Sequence, residues 1–200
     1  AFAHPWVRTK ADQIGSVSAP NSHFATLPSR PYSAGLMTDS ETLQYSPLND
    51  IHLRAGAKMV PFAGFSMPVQ YQGIAEEHLT VRASVGLFDI SHMGQFFVSG
   101  PGAQAWLNEM LTNNIAKLAP TQGQYTLLLN EQGGVIDDLI AYQLAADHYF
   151  LVVNASMIAV DLAWLQARLP AGVTLENRSD AFAGFADYTE KHHRKMSDGR

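Results

Sequence analysis

Residues 125–154 leave this chain little freedom in how to fold. Three apolar runs, YTLLLN at 125–130, VIDDLIAYQL at 135–144 and YFLVVN at 149–154, are separated by EQGG and by a polar break at Ala146, Asp147 and His148. Runs of this composition bounded by turn residues read as strands, and strands joined by short turns pair antiparallel. The stretch predicts a three-stranded meander. Ser156 then stands where a helix cap is expected, before a helix of roughly three to four turns whose Ile158, Leu162, Leu165 and Leu169 share a face and which ends before Pro170. An antiparallel meander with helices packed on it makes the predicted class α+β.

Upstream the pattern is mixed. Residues 74–84, IAEEHLTVRAS, suit a short surface helix carrying Ile74, Leu79 and Val81, and 87–98, LFDISHMGQFFV, reads as extended, with Gly94 a bulge or bend. Gly100 and Pro101 mark a turn, with Pro101 expected at the first position of a helix through AQAWLNEML and with Trp106, Leu107, Met110 and Leu111 as its buried stripe. Phe62, Phe65, Phe88, Phe96 and Phe97 are read as core.

Both ends differ from this middle. Residues 1–36 are rich in Pro, Ser and Ala without a sustained period and are expected to be a disordered or non-native leader; residues 187–200 read as a divergent polar tail. The patterned unit is 37–186.

Composition narrows the chemistry. With 46% hydrophobic and 16% charged residues in 200, the chain has the apolar content of a globular protein. It has no cysteine, which excludes disulfides, thiolate metal sites and a thiol nucleophile. A net charge of -5 with 13 Lys and Arg provides no basic stripe for nucleic acid. No apolar run approaches the roughly 18 residues of a membrane span, so no membrane association is expected and the protein is read as soluble and cytoplasmic.

Within 135–144 a period of 2 places Ile136, Asp138, Ile140 and Tyr142 on one face and Val135, Asp137, Leu139 and Ala141 on the other. Each face therefore carries one carboxylate among apolar neighbours, which requires a partner if it is buried. On this pattern alone two readings stand open: a functional acid, or two aspartates solvated or bonded to amides near the hairpin end. Tyr142 lies about 13 Å along the strand from Asp138, a span suited to an elongated flat ligand. His92 in SHMG reads as a packing residue, and no phosphate loop, dinucleotide fingerprint, HExxH or calcium loop is present.

Four ordered blocks carry a resemblance: GAKMVPFAGFSMPVQY at 56–71, VGLFDISHMGQ at 85–95, GGVIDDLI at 133–140 and VVNAS at 152–156. In order and spacing the chain resembles the amino-terminal part of the glycine cleavage system T protein family, the aminomethyltransferases. The resemblance implies a folate-binding domain of the T-protein type that takes the one-carbon unit from the aminomethyl-dihydrolipoyl arm of the H protein to tetrahydrofolate and releases ammonia. It further implies that Asp138 is the catalytic carboxylate and that Met93, Tyr125, Tyr142 and Asn154 border the folate. A carboxylate there can orient the attacking amine and stabilise positive charge developing on the transferred carbon.

The family pattern stops at Asp187, before the later folate-binding residues, and Asn114 stands where many relatives carry Asp. The chain is therefore read as truncated. The alternatives are a non-catalytic folate-binding relative of the iron-sulfur assembly type, the folate region of a sarcosine or dimethylglycine oxidising enzyme, and an inactive fragment. Asp138 in its DDL context argues against the first, and the missing dinucleotide fingerprint against the second.

Overall fold

The computed structural model describes residues 8–9 and 43–188. The expectations of a disordered leader over 1–36 and a polar tail over 187–200 fall almost wholly outside those residues.

In chain order the elements are β1 (Arg8–Thr9), β2 (Gln44–Tyr45), α1 (Asn49–Arg54), β3 (Lys58–Phe62), β4 (Phe65–Gln70), α2 (Ile74–Ala83), β5 (Gly86–Asp89), β6 (Gly94–Ser99) and α3 (Ala103–Met110), followed by β7 (Gln122–Leu129), β8 (Val135–Ala145), β9 (His148–Val153), α4 (Ile158–Gln166), β10 (Thr174–Asn177) and β11 (Phe185–Tyr188). The predicted meander is β7, β8 and β9, and it forms the centre of a six-stranded sheet of order β1-β7-β8-β9-β6-β10. Every pair in it is antiparallel except β1 with β7. A three-stranded sheet, β2-β4-β3, and the pair β11-β5 lie beside it. The α+β class stands.

The main sheet has one dry face. Along β8, Asp137, Leu139, Ala141 and Gln143 are buried while Ile136, Asp138, Ile140 and Tyr142 are half-exposed, the alternation that a period of 2 predicts. Register brings Ala141 and Phe96 to either side of Leu151 and sets Val98 opposite Tyr149. α3 and α4 close this layer with Ala103, Trp106, Leu107 and Leu165, all buried. Each large apolar side chain so enclosed contributes about 1.5–3 kcal/mol. Trp106 also donates its indole N–H to the Arg168 carbonyl at 2.7 Å, which ties α3 to the end of α4.

Five local expectations change. The extended run at 87–98 is two strands, because 91–93 form a turn and β5 pairs with β11 while β6 joins the main sheet. Gly94 is not a bulge: a Cβ there would lie 2.4 Å from Val153 Cγ2 and 2.6 Å from Ile158 Cγ1, so the glycine admits the start of α4 against the sheet. Pro101 stays in the turn, and α3 begins after Gly102, whose φ of 89° suits glycine. Ser156 does not cap α4; it sits in a single 3-10 turn over Ala155–Met157. Of the five phenylalanines read as core, only Phe96 is fully buried, and Phe62 and Phe88 are exposed.

The surface helix at 74–84 forms as α2, with no buried residue. It is held at its start by Glu77, whose Oε1 accepts the backbone N–H groups of Tyr71, Gln72 and Gly73 at 2.7, 2.8 and 3.1 Å. These three bonds hold the Glu77 carboxyl below its ordinary range. No helix among the described residues is long and apolar enough to cross a membrane.

Candidate active site

Antiparallel register assembles the site from three strands. Leu127 of β7 pairs with Asp138 of β8, and Tyr125 pairs with Ile140, so Tyr125 and Asp138 are diagonal neighbours on the face away from the helices. The Tyr125 hydroxyl donates a short hydrogen bond to Asp138 Oδ2. On the other side Val152 of β9 pairs with Ile140, and two residues later Asn154 comes abreast of Asp138. Asn154 Nδ2 donates to Asp138 Oδ1 at 3.2 Å and to the Asp138 carbonyl at 3.0 Å. Each oxygen of the Asp138 carboxylate thus has one protein donor, and a carboxylate has about four acceptor positions in all. Asp138 is half-exposed and Tyr125 is 58% exposed, so the remaining positions are open to a ligand N–H. Donation to Asp138 raises the Tyr125 phenol above its ordinary value, with burial and the Asp138 and Asp137 charges adding to the shift.

Beneath this shelf lies a second carboxylate. Asp137 points into the dry layer at 5% exposure and accepts from the Asn154 backbone N–H at 3.1 Å and from Asn154 Nδ2 at 2.8 Å. Asn154 is therefore shared between the two aspartates. Asp161, on α4, is fully buried against Asp137, and neither of its oxygens meets an N–H or O–H donor among the described residues. Burial pushes its carboxyl up to about 8, and the adjoining Asp137 adds to the shift.

Sequence reasoning missed Asp161, although a signal was present. It lies three residues after Ile158 and four before Leu165, on the helix face read as apolar.

The other two expected residues flank the shelf without bonding to it. Met93 immediately precedes Gly94, which pairs with Val153, so it continues the transverse row of Leu127, Asp138 and Asn154. Tyr142 lies at the far end of β8, stacked on Phe150 with centroids 5.9 Å apart, and burial raises its phenol. Phe97 joins Phe150 at 5.0 Å and Phe182 at 5.5 Å, which makes an aromatic file of Tyr142, Phe150, Phe97 and Phe182 across the same face. Arg178 covers its end, with Cζ 5.0 Å from the Phe97 centroid.

A separate polar network joins the small sheets. The Asp89 side chain, 1% exposed, accepts from Ser46 Oγ at 2.7 Å, His52 Nε2 at 2.8 Å and the Ser91 backbone N–H at 2.8 Å. With the His52 proton on Nε2, its Nδ1 accepts from the Tyr71 hydroxyl at 2.7 Å. Burial pushes the Asp89 carboxyl up, but these bonds outweigh it and hold the group below its usual range. His92, half-buried, is pulled down by burial against the opposing Asp89 charge, and its ring meets Phe62 edge-on at 5.5 Å. It lines a cavity of about 520 Å3 with Tyr45, Phe65, Ser91, Ser156 and Asp180, which includes none of the shelf residues. The shelf is the stronger candidate because its carboxylate is held by two side-chain donors and remains accessible, whereas Asp89, bonded behind the cavity residue Ser91, is spent on internal donors. No cluster of three or more ligating side chains that could hold a metal exists among the described residues.

Residues 48–186 match the family model described as GCVT N-terminal domain. The chain belongs to the GCVT N-terminal domain family. It is 56% identical over 139 residues to an aminomethyltransferase of Chloroherpeton thalassium, covering 69% of this chain and 38% of that protein. To an aminomethyltransferase of Deinococcus deserti it is 48% identical over 147 residues, covering 73% of this chain and 41% of that one. The solved glycine cleavage system aminomethyltransferase T from Bartonella henselae superposes with a TM-score of 0.67 at 37% identity, over 78% of this chain and 44% of that one. The chain thus spans about two-fifths of the length of these relatives.

The matched region of this GCVT domain contains Met93, Tyr125, Asp138, Tyr142 and Asn154 together with Asp137 and Asp161. It also contains Asn114, whose Oδ1 accepts the Ala116 N–H at 2.9 Å as the cap of a 3-10 turn over Ile115–Lys117. An Asp side chain can supply the same acceptor, so the departure at 114 has no consequence for that cap.

Proposed function

We propose that this GCVT domain, over 37–186, is the folate-binding part of a cytoplasmic aminomethyltransferase that passes a one-carbon unit from the aminomethyl-dihydrolipoyl arm of the H protein to tetrahydrofolate with release of ammonia. The reading is supported above all by the Asp138 carboxylate, held by Tyr125 and Asn154 yet open to a ligand. Family membership with the named aminomethyltransferases supports the same reading.

Asp138 is the proposed catalytic residue. Its two protein donors fix the plane of the carboxylate, so that it can accept an N–H of the incoming amine and face the positive charge that develops at the transferred carbon. Tyr125 and Asn154 hold it there. Met93 beside Asn154, and the aromatic file through Tyr142 further along the same face, offer a flat apolar bed running away from the acid, which fits an elongated substrate with a fused ring and polar nitrogens.

Calorimetric titration of the 200-residue chain with tetrahydrofolate tests the reading. Saturable one-to-one binding that weakens in Tyr125→Ala is expected. Absence of binding would show that this span holds no sufficient folate site and would leave the inactive-fragment alternative.

A further inference from the structure

Asn154 bonds to two aspartates on opposite faces of β8, and only one of them faces the proposed substrate. The inner one, Asp137, is backed by a third aspartate from a different element. Asp161 is fully enclosed, with both oxygens lacking a donor among the described residues and with the Asp137 carboxyl against it. Two carboxylates in contact inside a dry layer cannot both carry charge without a cation, and among the described residues no ion pair involves either. Among the described residues other titrating groups are few, and α3, which closes the same layer, has only the exposed Glu109. α4 has no other ionisable side chain and β6 has none. β7 contributes Tyr125, β8 contributes Asp138 and Tyr142, and β9 has only His148 and Tyr149 at its opposite end. One proton between the two carboxyls resolves the conflict, and it also gives Asp161 the hydrogen bond that it otherwise lacks.

We propose that Asp161 is a positioning residue for Asp138: it retains a proton, donates it to Asp137, and so keeps Asp137 as the acceptor that orients the Asn154 amide across both aspartates. The inference rests on Asp138 being the reacting carboxylate, but its geometry does not depend on turnover. Loss of the shared proton places two charges side by side, pulls on Asn154 and releases the donor at Asp138 Oδ1. The burial that pushes Asp161 up to about 8 puts this event just above neutral pH.

The test is carbon NMR of the full 200-residue chain labelled at aspartate Cγ, followed from pH 5 to 10. One resonance, absent in Asp161→Asn, is expected to stay at the protonated shift at pH 7 and to titrate near pH 8, with the Asp137 and Asp138 resonances moving in the same step. Asp161→Asn keeps a donor toward Asp137 and has no proton to lose, so its Asp138 resonance should match the parent at pH 7 and show no step. Asp161→Leu, without a donor, should shift Asp138 already at pH 7. If this variant does not fold, the parent and Asp161→Asn titrations still decide.

A carboxylate shift for Asp161 at pH 7, or an Asp138 resonance indifferent to the step, overturns the proposal. Full transfer activity in Asp138→Asn would instead overturn the proposed role of Asp138 and leave this titration unchanged, so the two failures are distinguishable.

Discussion

Tyr125 donates its hydroxyl to Asp138 across the β7–β8 pair, from the diagonal position that antiparallel register provides on the open face of the sheet. That bond occupies one oxygen of the carboxylate and leaves the group accessible. Its consequences can be measured at both partners.

Replacing Asp138 with Asn keeps the shape and removes the charge. Transfer from aminomethylated H protein to tetrahydrofolate is expected to fall about 100-fold or more, the usual loss when a charge acting on the transition state is removed. Because Asp138 is half-exposed and its partners can still bond an amide, thermal unfolding should change by no more than a few degrees. An unchanged rate would remove Asp138 from the chemistry.

Tyr125→Phe deletes the donor and little else, since the ring is largely exposed. Tetrahydrofolate affinity or transfer rate should drop by about tenfold, corresponding to loss of one charge-assisted hydrogen bond. In the parent, the Tyr125 phenol titrates above its ordinary value of 10.0 because Asp138 holds its proton. In Asp138→Asn that titration, followed at the tyrosine Cζ by NMR, should move down toward 10.0.

Asn154→Ala removes the side-chain donor from Asp137 and from Asp138 together, leaving on Asp137 the residue-154 backbone N–H and the proton proposed for Asp161. A buried carboxylate that loses a partner costs about 1–3 kcal/mol, so urea unfolding should show a loss of that order in addition to weaker folate binding. A loss of binding without any loss of stability would mean that Asn154 contacts only the ligand.

Stability should also carry the signature of Asp161. Its carboxyl is at about 8 in the folded chain against 3.8 as the ordinary value. Between those values the folded chain holds a proton that the unfolded chain has lost, so this contribution is complete below about 3.8 and declines as pH rises. The slope is about 1.4 kcal/mol per pH unit, levelling off above pH 8. Asp161→Asn should remove that slope, which denaturant unfolding at pH 5, 6, 7 and 8 would show directly.

Gly94→Ala should be costly for a steric reason. The added methyl would sit 2.4 Å from Val153 and 2.6 Å from Ile158, forcing β9 and the start of α4 apart. Overpacking of this kind costs about 1–3 kcal/mol. Because Val153 adjoins Asn154, folate binding should weaken with it; a variant as stable as the parent would show that α4 yields without strain.

Much of this arrangement is legible in the order of residues alone. The turns at EQGG and around Asp147, with apolar runs between them, fix an antiparallel meander because chain reversal and side-chain alternation are local properties. The same alternation places Asp138 and Tyr142 on one face and Asp137 on the other. Other local signals point the wrong way. Pro101 and Ser156 carry the chemistry of helix starts, yet α3 begins after Gly102 and α4 after a 3-10 turn. Of the phenylalanines read as core, Phe96 and Phe97 alternate along β6 between the dry layer and the open aromatic file, while Phe62, Phe65 and Phe88 stand on strands of the smaller sheets.

The sequence by itself determined the family, the three strands of the central meander and the side of β8 on which the candidate acid stands, since all of these follow from order and spacing along the chain. Only the tertiary structure decided that Asn154 reaches back 16 and 17 positions to bond both aspartates and that Asp161 descends from α4 onto Asp137. Those contacts depend on how closely α4 lies on the sheet, and that distance is set by side-chain packing around Gly94 and Leu165, which no periodicity records.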